Sequence, residues 1–222
     1  MCLPFAGGGA SFFTQWREHT SDFDILPVLL PGRERRIDDA PYRNVQRAAN
    51  GVLPEILEQV DRKRPVVLFG HSLGAVLAYE ITQRLVNYTD LTVSRLIVSG
   101  SPGPATQREK RATGLSDDDF ITRVREFAGF SDAAMAAPQI RSMILPALRA
   151  DVEMHENYRP SSRTPLPVPI TSIRGGSDDL VSDAQAREWQ AETSVDFTFV
   201  EPSGGHMYLV DSPDAVLQSA RP

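Results

Sequence analysis

Short apolar runs alternate with longer stretches of helical periodicity along most of the chain. Many of the runs are bounded by proline or glycine, as β-strands commonly are. The predicted strands cover residues 3–5, 25–30, 66–69, 93–98, 168–173 and 195–200. Strands separated by helices indicate an α/β fold in which a mainly parallel sheet carries helices on both faces.

Three helices are predicted around these strands. Residues 73–86 are apolar almost all the way round the helix, so we expect this helix to be buried. Residues 183–192 form a second helix, for which Ser182 and Gln185 provide a capping box. Pro213 stands where a final helix could begin, at its first position.

Residues 103–160 have no strand pattern. They contain one helical pattern after Ser116, with Phe120, Ile121, Val124 and Phe127, and another around residues 140–157. We interpret this stretch as a helical insertion that forms a lid over one end of the sheet; a longer crossover is the alternative. Residues 1–222 are expected to form one domain, because 222 residues suit a domain of ordinary size.

Composition narrows the possible functions. The formal net charge of -6 argues against a nucleic-acid partner, since phosphate contact favours a basic face. No apolar run is long enough to span a bilayer, so no membrane association is expected. Cys2 is the only cysteine, which excludes an intrachain disulfide and fits a cytoplasmic location. A monomer is expected.

The segment Gly70-His71-Ser72-Leu73-Gly74 matches the G-x-S-x-G pattern of a nucleophilic serine. The chemistry requires a tight strand-to-helix turn that exposes the serine hydroxyl, with small residues on both sides. A Val/Leu/Phe strand precedes this segment and an apolar helix follows it. That context favours Ser72 as a nucleophile over a glycine-lined turn without chemistry.

A base and an acid follow in the chain order of a Ser-Asp-His triad. His206 comes after the strand 195–200, where α/β sheets place their sites, whereas His19, His71 and His155 lack such a position. Asp178 and Asp179 both follow the strand 168–173, and either could orient the imidazole. Asp183 is a weaker candidate, because it should lie in the next helix.

Two backbone N–H groups are needed to stabilise a tetrahedral oxyanion. One is expected from Leu73, directly after the serine, and the other from the glycine-rich loop of residues 4–9. A phosphate-binding loop is the competing interpretation, but the lysine of that motif is missing.

Together these segments resemble the type II thioesterases that accompany polyketide synthases and non-ribosomal peptide synthetases, members of the α/β-hydrolase superfamily. The resemblance covers nearly the whole chain. The matching segments are Leu3-Pro4-Phe5-Ala6-Gly7-Gly8-Gly9-Ala10-Ser11, Leu30-Pro31-Gly32-Arg33-Glu34-Arg35-Arg36, Gly70-His71-Ser72-Leu73-Gly74-Ala75, Leu145-Pro146-Ala147-Leu148-Arg149-Ala150-Asp151 and Gly204-Gly205-His206.

The resemblance implies an editing enzyme that hydrolyses stalled or aberrant acyl groups from the phosphopantetheine arm of acyl or peptidyl carrier proteins. It implies Asp178, not Asp179, as the acid, and the N–H groups of Ala6 and Leu73 as the oxyanion donors. No cofactor or metal of its own is expected, because the partner carries the phosphopantetheine.

Two other functions stay open at this stage. The chain could hydrolyse free small esters as a carboxylesterase or lipase, or it could be a non-catalytic binding domain that kept the fold. Two basic clusters could dock a carrier protein: Arg33, Arg35 and Arg36, or Arg108, Lys110 and Arg111. A solvated charged face is the alternative interpretation of both clusters.

Overall fold

A five-stranded parallel sheet forms the centre of the protein. The computed structural model describes residues 1–107, 111–128, 137–211 and 213–221. The strands lie side by side in chain order: β1 (Cys2–Leu3), β2 (Val66–His71), β3 (Val93–Ser99), β4 (Ile170–Ile173) and β5 (Phe197–Val200). All four neighbouring pairs are parallel, so the carboxyl ends of the five strands meet at one edge.

The strand expected at residues 25–30 is reduced to a single bridge between Cys2 and Pro27. The amide of Cys2 donates to the carbonyl of Leu26, and the amide of Val28 donates to the carbonyl of Cys2. The partner strand β1 ends at Leu3, because Pro4 has no N–H to continue a ladder. The prediction of a full strand at residues 25–30 is therefore wrong in extent, although the segment does lie beside the sheet.

The sheet buries both of its faces, because successive side chains of a strand point to opposite sides. Leu68, Leu96 and Ile170 belong to the larger core on one face. Their neighbours Phe69 and Ile97 belong to a second core on the other face, together with side chains of the N- and C-terminal segments. This alternation confirms the prediction of helices on both sides.

Helix α3 (Leu73–Tyr88) packs against the sheet and is buried on nearly all sides, as predicted. Helix α2 (Val45–Gln59), which packs on α3, was not predicted. Its signals are present in the sequence. The side chain of Asn44 caps its first turn, and apolar residues recur at helical spacing from Val45 to Ile56. Pro54 inside the helix interrupts the pattern.

The stretch between β3 and β4 contains two long helices, α4 (Asp117–Ala128) and α5 (Pro138–Glu156). They match the two helical patterns predicted there. Phe120 and Ile121 from α4 pack with Leu145, Leu148 and Val152 from α5 in a small core of their own. Ala6, from the loop after β1, packs against this core. The role of the stretch as a lid stays a prediction.

The remaining α-helices in the described part of the chain are short. They are α1 (Ser11–Thr14), which continues as a 3-10 helix over Gln15–His19, α6 (Asp183–Arg187), which continues as a 3-10 helix over Glu188–Glu192, and α7 (Asp214–Ser219). The capping box of Ser182 and Gln185 is confirmed. Pro213 is the N-cap of α7 rather than its first helical residue. Within the described ranges, no helix is long and apolar enough to cross a membrane.

We expect the core around α3 to dominate stability. Leu77 is fully buried there, whereas Tyr88, on the same helix, is 81% exposed. Leu77→Ala should lower the free energy of unfolding by about 2–5 kcal/mol, because it leaves a cavity. Tyr88→Ala should change the free energy of unfolding by less than about 0.5 kcal/mol. Urea unfolding followed by circular dichroism measures both, and similar losses in the two variants would contradict this assignment of the core.

Candidate active site

Ser72 lies in a strained turn between β2 and α3. Its backbone has φ 55° and ψ -114°, a conformation that residues other than glycine rarely adopt. Such strain costs on the order of 1–3 kcal/mol and persists only where the surroundings impose it. Here β2 ends at His71, α3 begins at Leu73, and the amide of Ser72 donates to the carbonyl of Ser99 on β3 at 2.8 Å.

The two glycines of the motif allow this turn by close backbone packing. A Cβ on Gly70 would lie 1.9 Å from the carbonyl oxygen of Gly74. A Cβ on Gly74 would lie 2.3 Å from the carbonyl oxygen of Leu3. The second contact brings the end of β1 against the first turn of α3. The loop that carries Ala6 therefore starts beside the amide of Leu73.

Asp178 is the carboxylate that pairs with His206. Its Oδ2 accepts a hydrogen bond from Nδ1 of His206 at 2.8 Å, and its Oδ1 accepts from the amides of Leu180 and Val181. Asp178 is buried, whereas its neighbour Asp179 is exposed. Asp183 lies in α6 and forms an exposed ion pair with Arg187. Spacing alone left Asp178 and Asp179 as equal candidates for the partner of His206, and the geometry shows that the partner is Asp178.

The surroundings of Asp178 favour its charged form. Burial by itself raises the pKa of this carboxyl. The hydrogen bond and charge of His206, with the amides of Leu180 and Val181, outweigh burial and hold the pKa of Asp178 below its ordinary value. A carboxylate that stays ionised can fix one tautomer of the imidazole and stabilise its protonated form.

The loops that carry Asp178 and His206 are joined through their backbones. The amide of Gly176 donates to the carbonyl of Pro202, and the amide of Ser177 donates to the carbonyl of Gly204, both at 2.8 Å. These bonds extend the pairing of β4 and β5 beyond the strands. A Cβ on Gly175 would lie 2.3 Å from the carbonyl oxygen of Gly205, so glycine is required for this approach.

The imidazole of His206 lies beside the strained turn. Its ring centroid is 4.8 Å from that of His71, the residue before Ser72. Gly100, the residue after β3, has φ 55° and lies against both rings. A Cβ at Gly100 would lie 2.4 Å from the ring of His71 and 3.0 Å from the ring of His206. Ser72, Asp178 and His206 thus all lie at the carboxyl edge of the sheet.

The ring of His71, beside that of His206, is held by neighbouring polar side chains. Its Nδ1 is 2.9 Å from Oγ of Ser99, which is 2.8 Å from the hydroxyl of Tyr208. Burial raises the pKa of Tyr208, so this hydroxyl keeps its proton. The sequence analysis did not single out Ser99, Gly100 and Tyr208. No motif marks these residues, because they contact the two histidines only once the chain is folded.

The other two histidines lie elsewhere. His19 is exposed at the end of the 3-10 helix after α1, and His155 is half-buried near the end of α5. In the ranges 1–107, 111–128, 137–211 and 213–221, no group of three or more histidine, cysteine or acidic residues could hold a metal ion.

One residue of the basic clusters considered for carrier docking is not available for docking. Arg33 is only 7% exposed and forms a bidentate ion pair with Asp151, with distances of 2.7 and 2.8 Å. Arg35 and Arg36 pair with the acidic side chains of Glu55 and Asp39 at the surface. The docking role of Arg33 was therefore wrong.

In the second cluster, Arg108 and Lys110 lie outside the described residues. Arg111 is exposed and bonds to Glu156 and Asn157.

Comparison with known proteins decides the family. A model of the thioesterase domain matches residues 1–221. The chain belongs to the thioesterase family. The probable anguibactin biosynthesis thioesterase AngT of Vibrio anguillarum is 33% identical over 98% of this chain and 88% of its own length.

Two solved structures agree with this assignment. The type II thioesterase BorB from the borrelidin biosynthetic cluster is 33% identical, with a TM-score of 0.83 over 97% of this chain and 86% of that one. The thioesterase RedJ from the prodiginine pathway of Streptomyces coelicolor is 31% identical, with a TM-score of 0.86 over 98% and 82% of the two chains. The resemblance to type II thioesterases and the α/β-hydrolase fold are thus confirmed, and the chain is a thioesterase of the serine hydrolase class.

The contact at Gly175 supplies a test of the site geometry in this thioesterase. Gly175→Ala should lower kcat/KM by at least about 100-fold, because the added methyl group separates the loops of Asp178 and His206. Gly176→Ala is the matched control: its Cβ would meet its nearest neighbour, the carbonyl oxygen of Pro202, at an ordinary 3.4 Å. Equal activities of the two variants on an acyl thioester would contradict the proposed contact.

The low pKa of Asp178 makes a prediction about acid stability. The native state binds this proton less readily than the unfolded chain, so Asp178 contributes its full stability above an ordinary aspartate pKa of about 3.9. That contribution is lost as the pH falls through the lower, folded pKa. Asp178→Asn removes it and should flatten the fall in unfolding free energy below about pH 4.

Urea unfolding between about pH 6 and pH 2.5 measures this effect. Asp179→Asn is the control on the exposed neighbour. Curves for wild type and Asp178→Asn that stay parallel over the whole range would contradict the prediction.

Proposed function

We propose that this thioesterase hydrolyses acyl groups from the phosphopantetheine arm of acyl or peptidyl carrier proteins through an acyl-Ser72 intermediate. The type II thioesterases it resembles are named for biosynthetic clusters that assemble small molecules, which supports substrates of this class. Stalled or aberrant acyl groups are the expected substrates. The monomeric, cytoplasmic state predicted from the sequence is part of the same proposal.

In the acylation step, Ser72 Oγ attacks the thioester carbonyl while Nε2 of His206 takes the hydroxyl proton. Asp178 holds the opposite nitrogen of the ring. The oxyanion that forms is stabilised by the N–H groups of Ala6 and Leu73, at the positive end of α3. When the C–S bond breaks, the pantetheine thiolate receives the proton from His206.

In the deacylation step, His206 takes a proton from water, and the resulting hydroxide attacks the acyl-Ser72 ester. The same N–H groups stabilise the second oxyanion. The C–O bond to Ser72 then breaks, and the serine oxygen takes the proton back from His206. The products are a carboxylic acid and the free thiol of the carrier, so the enzyme needs no cofactor of its own.

The observation that carries the proposal is the buried Asp178–His206 hydrogen bond beside the strained turn of Ser72. A serine without a chemical role is normally found in an unstrained turn. Likewise, a histidine without such a role seldom has a buried carboxylate as its partner. A buried, charged carboxylate held against a histidine beside a candidate nucleophile is typical of a catalytic site.

The test is to incubate an acyl-loaded carrier protein with the enzyme and follow loss of the acyl mass by mass spectrometry. Wild type should turn over repeatedly, and Ser72→Ala should be inactive. Asp178→Asn should lose on the order of 10³–10⁴-fold in kcat, because the imidazole loses its oriented tautomer. Asp179→Asn, the exposed neighbour, should retain nearly full activity.

The same experiment separates the alternatives. Hydrolysis of free small esters but not of the acyl-carrier would favour a carboxylesterase or lipase. Binding of the loaded carrier without any Ser72-dependent turnover would favour a non-catalytic domain. Equal losses in Asp178→Asn and Asp179→Asn would contradict the assignment of Asp178 as the acid.

A further inference from the structure

A closed set of hydrogen bonds surrounds the glycine-rich loop after β1. Asp151 Oδ2 accepts from the amide of Gly7 at 2.8 Å and from Nη1 of Arg33 at 2.7 Å. Nη1 of Arg33 also donates to the carbonyl of Gly8 at 2.9 Å. Both charged side chains thus bind each other and one backbone group each of this loop.

The geometry points to Arg33 and Asp151 as positioning residues, a buried ion pair that fixes the orientation of the Ala6 N–H as an oxyanion donor. This inference rests on the proposed function, because it concerns the same step of acyl transfer. Neither residue is expected to touch the substrate.

The orientation of the Ala6 N–H follows from its neighbours. The amide of Gly8 donates to the carbonyl of Phe5 at 2.9 Å, which closes a tight turn with Gly7 at φ 76°. A planar trans peptide holds its C=O and N–H in opposite directions. Since the carbonyl of Phe5 points into the turn, the N–H of Ala6 must point out of it. Any rotation of this turn would re-aim that N–H.

The ion pair holds the turn from the outside. The amide of Gly7 is bonded to Asp151, and the carbonyl of Gly8 is bonded to Arg33. The Ala6–Gly7 and Gly8–Gly9 peptide groups, which flank the last peptide of the turn, are therefore both held by the ion pair. Asp151 is fully buried and Arg33 nearly so, which removes water as a competing partner. An arginine fork suits this task, because its several donors keep a fixed mutual geometry.

The two partners come from distant parts of the chain. Arg33 follows the Pro31-Gly32 turn, and Asp151 lies in α5, within the helical stretch between β3 and β4. Two of the segments that carry the family resemblance, residues 30–36 and 145–151, therefore meet at one ion pair. Glu34 holds the helix that follows the loop, since its Oε1 accepts from the amide and hydroxyl of Ser11, the first residue of α1.

The test replaces the pair without leaving an unpaired buried charge. Arg33→Met with Asp151→Leu removes both charges at similar volume, a kind of change that folded proteins often tolerate. The control is Arg43→Gln with Glu153→Gln, an exposed ion pair that uses the same helix α5 but does not touch the loop. Each variant is assayed on an acyl-pantetheine thioester, with its melting temperature measured alongside.

For Arg33→Met/Asp151→Leu we expect kcat to fall by about 10- to 100-fold. A misdirected N–H donor stabilises the oxyanion of the transition state less well, whereas binding of the substrate is unaffected. KM should stay within about 3-fold, since the loop does not bind the ground state. Affinity for an acyl trifluoromethyl ketone, which Ser72 converts to a tetrahedral adduct, should fall by the same factor as kcat/KM. The control should match wild type in all three values.

Arg33→Lys is the second variant, and it decides the matter if the double variant does not fold. Lysine keeps the charge but cannot provide the fork, so kcat should fall by a smaller factor than in the double variant, at unchanged KM. The inference is overturned if kcat and ketone affinity stay at the control values in whichever of the two variants folds. Absence of Ser72-dependent turnover in wild type would instead overturn the proposed function.

Discussion

The strained turn at Ser72 is the constraint on which the arrangement of the site depends. A non-glycine residue at φ 55° requires neighbours that leave no alternative, and the structure supplies them as backbone contacts. Gly70 packs on the carbonyl of Gly74, and Gly74 packs on the carbonyl of Leu3. The serine is therefore presented where β1, β2 and α3 converge, with the positive end of α3 directly behind it.

The other members of the site are brought to this turn by loops that extend the sheet. The bonds from Gly176 and Ser177 to the loop of His206 continue the β4–β5 ladder by two steps. Backbone bonds between the two loops thus hold Asp178 and His206 next to each other, in addition to their own hydrogen bond. The carboxyl edge of the sheet thus carries all three segments of the site: the Ser72 turn and the loops of Asp178 and His206.

Carboxylates, two of them buried (Glu80 and Glu156), anchor the helical stretch that faces this edge. Glu188 accepts from the amide of Gly103 at its entry, Glu156 accepts from the amides of Ala112 and Thr113, and Glu80 accepts from the amide of Ser161 at its exit. Asp151 provides a similar anchor for the glycine-rich loop. Each carboxylate accepts from the backbone of a loop, and such bonds satisfy main-chain donors that have no partner in a helix or strand.

Local pattern was sufficient to predict the alternation of strands and helices, the serine turn and the chain order Ser72, Asp178, His206. Those features depend on periodicity and on glycines within a few residues of each other. Residue spacing could not decide between Asp178 and Asp179 as the partner of His206. It also could not show that Arg33 is buried, or that Ser99 and Tyr208 lie next to His71. It also missed α2, whose pattern Pro54 interrupts. Apart from α2, whose signals are local, these features depend on contacts between residues 28 to 118 positions apart. Only the folded chain decides which side chains are buried and which carboxylate meets which cation.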